Sequence, residues 1–262
     1  MSKIFLSIPI LGKPELKHIY SVYQAILSCK EHEVRIYFNE NDSLISRVRN
    51  VHISRFLNEY TDCDYFMSLD SDIEIMNCYS TNNIFTKLLS HDVDFVGGLY
   101  AIKKPGTKRC ASIAVGGETP EYNSGLVEML WLSSGCWCLK RSAVEKMVEA
   151  YPELTYDGDD NATGQKIHGL YIPMIHEIKE GDFPGAPGPF PFKKYLSEDW
   201  SACQRWKQMG GKIYADTSIM LMHIGKINYT VWGEAKVVHK PNVMPPPPGF
   251  NLPKINEENN NE

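Results

Sequence analysis

Apolar and polar positions alternate in two rhythms along the chain. Residues 3–9 read as a first strand, and a helical pattern covers 15–28. Val34-Arg35-Ile36-Tyr37-Phe38 reads as a second strand. A helix is expected over 43–60, with Leu44, Val48, Val51, Ile53, Phe56 and Leu57 as its apolar face. The run Tyr65-Phe66-Met67-Ser68-Leu69 is a third, buried strand, followed by a short helix at 83–90 and a strand at 93–96. This alternation predicts a mostly parallel α/β sheet with helices on both faces. Residues 111–115 and 126–132 look like two strands joined by a turn-rich region, a small antiparallel insertion beside that sheet. A strand at 137–139 and a helix at 142–150 follow. Residues 152–195 show little periodicity, and the four prolines between 183 and 192 mark an ordered loop or lid. From Pro245 the chain becomes Pro-rich and then Asn/Glu-rich, the composition of a disordered tail.

The third strand ends in Asp70-Ser71-Asp72. Two carboxylates two residues apart on extended backbone point to one side. They repel unless a cation lies between them. Hard oxygen ligands suit Mg2+ or Mn2+, which commonly bridge carboxylates to substrate phosphates. Ligands of open α/β sheets bind beyond the carboxyl ends of the strands, where this pair lies. A solvated strand-to-loop turn would explain the same three residues.

A second constellation begins at Ser197-Glu198-Asp199-Trp200, which opens a helical stretch running to Gly210-Gly211. Ser197 suits the N-cap, and acidic residues suit the first helical turn, which is reason enough for both carboxylates. A strand at 212–215 precedes the apolar run that carries His223-Ile224-Gly225. A histidine in such a run is more often a core residue than a ligand, although the glycine allows close backbone approach.

The 262 residues suffice for one large α/β domain. A net charge of -5 argues against a broad nucleic-acid footprint, and no apolar stretch is long enough to span a membrane. Seven cysteines without a secretory signal favour free thiols and a cytoplasmic location, with Cys136 and Cys138 as core packing.

Several segments resemble, in order, the metal-dependent GT-A-fold glycosyltransferases, family-2-like and carrying a DxD motif. They are Asn41 to Asn50, Ser68-Leu69-Asp70-Ser71-Asp72-Ile73, Val96-Gly97-Gly98-Leu99-Tyr100, Ser133 to Arg141, Ser197 to Trp206 and His223-Ile224-Gly225. The resemblance implies a Rossmann-like single domain over 1–244. Its first 100 residues would bind a nucleoside-diphosphate sugar, and 101–244 would bind a glycan or glycoconjugate acceptor. Ser7, Pro9, Asn39 and Glu40 would hold the nucleobase and ribose, and Arg49 would orient the nucleotide. Asp70 and Asp72, with Ser71 between them, would meet the diphosphate through Mn2+ or Mg2+, with His223 as a third ligand. Gly135 and Cys136 would build the sugar pocket. Asp199, or else Glu198, would be the base of an inverting transfer, and Tyr229 and Trp232 would close the site. The sugar, the linkage and the oligomeric state stay open. So do a retaining transferase, a metal-dependent phosphohydrolase and a non-catalytic sugar-binding module on one scaffold.

Overall fold

The computed structural model describes residues 1–39, 42–79, 82–104, 109–158, 165–182, 185 and 188–225. Glu40, Tyr229, Trp232 and the tail from 245 lie outside these residues.

The first half alternates as its pattern predicts. Strand β1 (Lys3–Pro9) leads to helix α1 (Leu16–Ser28), β2 (Glu33–Asn39), α2 (Ile45–Asn58) and β3 (Tyr65–Leu69). A short β4 (Ile73–Ile75), α3 (Ile84–Ser90) and β5 (Phe95–Gly98) follow. Then come β6 (Ile113–Ala114), β7 (Leu126–Trp131), β8 (Cys136–Lys140) and α4 (Arg141–Ala150). Two hairpin ribbons come next: β9 (Thr155–Asp157) with β10 (Lys166–His168), and β11 (Met174–Ile178) with β12 (Phe192–Leu196). Helix α5 (Glu198–Gln208), β13 (Ile213–Asp216) and β14 (Leu221–His223) complete the described chain.

Eight strands form one mixed sheet in the order β2-β1-β3-β8-β5-β13-β7-β6. Only β8 and β7 run against the other six. Side chains alternate across it as the two-residue period demands. Ile4, Leu6, Met67, Leu69, Cys136 and Cys138 join one core with residues of α1 and α3. Phe5, Phe66, Phe95 and Trp137 join the other, with residues of α2, α4 and α5. Each such ring or aliphatic side chain, fully buried, stabilises the fold by roughly 1.5–3 kcal/mol. The two thiols of Cys136 and Cys138 are therefore core packing, and burial pushes the Cys136 thiol up to about 12.

Two expectations change. The strands β6 and β7 are antiparallel but do not sit beside the sheet: β7 pairs with β13 and the two form its far edge. Residues 152–195 hold the two ribbons rather than one long loop. No helix among the described residues is long and apolar enough to cross a membrane.

Candidate functional site

The carboxyl ends of β1, β2 and β3 reach one rim of the sheet, because the three strands are parallel and in register: Pro9 stands opposite Asn39, and Ser7 opposite Ser68. The antiparallel β8 starts at the same rim, and the Asp70 amide donates to the Gly135 carbonyl at 3.1 Å. A cavity of about 500 Å³ opens there, lined by Pro9, Val48, Arg49, Asp70, Ser71, Asp72, Lys103 and Gly225, among others.

Arg49 is the buried centre of the site, with only 4% of its side chain exposed. One guanidinium nitrogen donates to Ser68 Oγ at 3.0 Å, and the other donates to both Asp70 oxygens at 2.7 and 3.0 Å. Its Nε has no hydrogen-bond partner and lies 3.8 Å from Glu198 Oε1. Burial disfavours the charge, but Asp70, Tyr171 and Glu198 outweigh burial and raise the guanidinium pKa. Helix α2 presents this residue inward, and one turn later the same face presents His52. Its Nε2 donates to Asn39 Oδ1 at 2.9 Å, so its Nδ1 accepts from the Ser7 hydroxyl at 2.7 Å. Burial first, then the charges of Arg49 and Arg55, lowers His52 to about 3 and keeps it neutral. Ser7 and His52 are fully buried, so of these three hydrogen-bonded side chains Asn39 alone is partly exposed.

Asp72 is placed differently. Its Oδ2 lies 2.5 Å from Lys103 Nζ and 3.4 Å from His223 Nε2. Burial pushes its carboxyl up, but hydrogen bonds from His223 and Lys103 outweigh it and hold the group at about 2. The histidine arrives because β14 pairs antiparallel with β4, setting His223 opposite Ile73, and because the Ile224 amide donates to the Asp72 carbonyl at 2.7 Å. His223 Nδ1 is 2.9 Å from the Ala101 carbonyl, an acceptor only, so Nδ1 must carry the proton. Nε2 then faces a carboxylate and needs either its own proton or a cation between the two. A carbonyl behind the distal nitrogen is the usual support of a metal-bound histidine. Asp72 and His223 thus fit a hard divalent cation, whereas Asp70 is already engaged by Arg49. Among the described residues no three His, Cys, Asp or Glu side chains form a ready metal site. A cation here would complete its shell with water or phosphate oxygens.

Gly135 and Cys136 stand at the start of β8. Tyr100 is buried and its hydroxyl accepts from the Gly135 amide at 3.0 Å. Its ring stands edge-on to His223 with centroids 5.1 Å apart. A Cβ on Gly135 would meet that ring at 2.7 Å, so glycine is required. Cys136 is fully buried in the core, which leaves only its backbone near this rim. Ser197 holds the N-cap position of α5, but its hydroxyl donates to Asp199 Oδ1 instead of accepting from the helix. The same oxygen accepts from the Trp200 amide at 2.8 Å. Burial first and then Asp199 push the Glu198 carboxyl up.

The structure therefore brings Arg49, Asp70 and Glu198 together, and Asp72 with His223. It adds His52, Tyr100 and Lys103, which sequence reasoning did not single out. Of these only Tyr100 lay within a noted motif. No protein-family model matches the chain, and no curated protein matches it in sequence. Among solved structures, A197 from STIV is similar at 18% identity and a TM-score of 0.49, covering 86% of each chain. A glycosyltransferase involved in the glycosylation of the major capsid of PBCV-1 is similar at 14% identity and a TM-score of 0.34, over 56% of this chain and 66% of that one.

Proposed function

We propose that the chain transfers a sugar from a nucleoside-diphosphate donor to a hydroxyl acceptor, with inversion and with a divalent cation. The observation that carries this reading is the Asp72–His223 pair: its supporting Ala101 carbonyl fixes the tautomer, and it stands at the cavity where three parallel strands end. A cation held by that pair would supply charge neutralisation of the diphosphate leaving group. Asn39 and Pro9 border the nucleobase and ribose end. Arg49 fixes Asp70 in a single orientation and offers a positive field to the phosphates. Gly135 and the Tyr100 hydroxyl border the transferred sugar. Asp199 takes the acceptor proton: one of its oxygens is anchored at the helix start by Ser197 and Trp200, which leaves the other to act. Glu198, drawn toward Arg49, positions rather than reacts.

A melting-temperature panel of UDP-, GDP- and dTDP-sugars, with and without Mn2+, tests the reading. One nucleotide class should stabilise the protein, and only with the ion. Asp199→Asn should keep that stabilisation and lose about 10²–10⁴-fold in turnover. No response to any donor would refute the proposal.

A further inference from the structure

The two carboxylates of the rim have counter-ions of opposite character. Asp70 is held by Arg49, whose side chain is 4% exposed and fixed by Ser68. Asp72 is held by Lys103, whose side chain is 37% exposed and projects from a surface segment beyond β5. One cation cannot leave; the other is a flexible, solvated ammonium free to change partners. Lys103 also lines the cavity in which a diphosphate would lie, together with Lys13, which has no ion pair among the described residues. A divalent cation and Lys103 would compete for Asp72 Oδ2, because a doubly charged ion beside an ammonium 2.5 Å from that oxygen is repelled by it.

We propose that Lys103 is an exchangeable counter-ion: it occupies Asp72 when no divalent cation is bound, and it moves to the diphosphate oxygens when the cation takes Asp72. The inference rests on the donor reading above for its second half only. The exchange has a direct purpose in charge terms. It prevents Asp72 from standing without a counter-charge at an open pocket, and it keeps a positive group ready for the phosphate that accompanies the ion. The site then favours ion and diphosphate together over either alone, since each releases a partner for the other.

The test is calorimetric and needs no turnover. Mn2+ is titrated into the full chain as wild type, Lys103→Met, Asp72→Asn and the double variant. Lys103→Met should bind Mn2+ alone about two- to fivefold more tightly than wild type, the range that part-exposed ion pairs are worth. The gain should vanish when Asp72→Asn is also present, an outcome that a merely structural lysine would not produce. With Mn2+ saturating, Lys103→Met should bind inorganic pyrophosphate about tenfold more weakly, and Lys103→Arg should restore it. Equal Mn2+ affinities, a gain that survives in Asp72→Asn, or no Mn2+ binding by Lys103→Met overturns the exchange. Unchanged pyrophosphate affinity overturns its second half. A silent donor panel refutes the sugar-transfer reading, while the Mn2+ comparison still decides the role of Lys103.

Discussion

Asp70 and Asp72 differ by two positions in the chain and by kind in the fold. The first neutralises a buried guanidinium, and the second faces solvent with 35% of its side chain exposed. Asp70→Asn leaves buried Arg49 with only the more distant Glu198, 3.8 Å from its Nε, as a carboxylate partner and should destabilise the protein by on the order of 3 kcal/mol. Asp72→Asn removes a part-exposed pair and should cost no more than about 1 kcal/mol. Urea midpoints of the two variants check this, and equal losses would refute it. The sequence could place both carboxylates on one side of a strand end, since that follows from the period alone. It could not show that Arg49 sits beneath one of them and Lys103 beside the other. Those contacts join separate elements, and nothing local in either segment encodes them.

At the scale of elements, strands were legible wherever both faces are buried. Residues of β1, β3 and β8 alternate between two cores, so each run is mostly apolar, broken inside only by the buried Ser7 and Ser68. Helix α2 was harder to read. Its buried residues include Arg49 and His52, which face the rim, and Asn50 and Ser54, which accept from the backbone amides of Tyr171 and His168. Leu44, expected on its apolar face, is 53% exposed. The ribbon of β11 and β12 was not legible at all: its cross-strand partners Ile175 and Tyr195 are 60% and 64% exposed, whereas His176 and Lys194 are half-buried. Apolar residues on the solvent face erase the signal that marks a strand. The close approach of β5 and β8 offers a direct check. A Cβ on Gly97 would stand 2.1 Å from the Cys136 carbonyl oxygen. Gly97→Ala should therefore cost about 1–3 kcal/mol or more, read as a lower urea midpoint. A variant as stable as wild type would contradict the packing described for these strands.

For the whole molecule, acid sensitivity should follow from its buried histidines. His52 has a folded pKa of about 3 against an ordinary value of 6.5, and burial lowers His18 as well. As pH falls through 6.5 the unfolded chain takes up protons that the folded chain refuses. Stability is therefore fully present above that pH and declines between about 6.5 and 3. Urea midpoints between neutral and mildly acidic pH should fall, and His52→Gln should flatten the slope. An unchanged slope would count against a neutral His52. The placing of β13 and β14 has a consequence for synthesis. β13 fills the lane between β5 and β7, and β14 brings His223 to Asp72, yet both emerge from the ribosome after every other described element. A nascent chain that has grown only as far as α5 has an unfilled lane in its main sheet and a carboxylate without its histidine. The same late segment closes the sheet and brings His223 to Asp72, so the proposed cation site is assembled only when the last described strands pair.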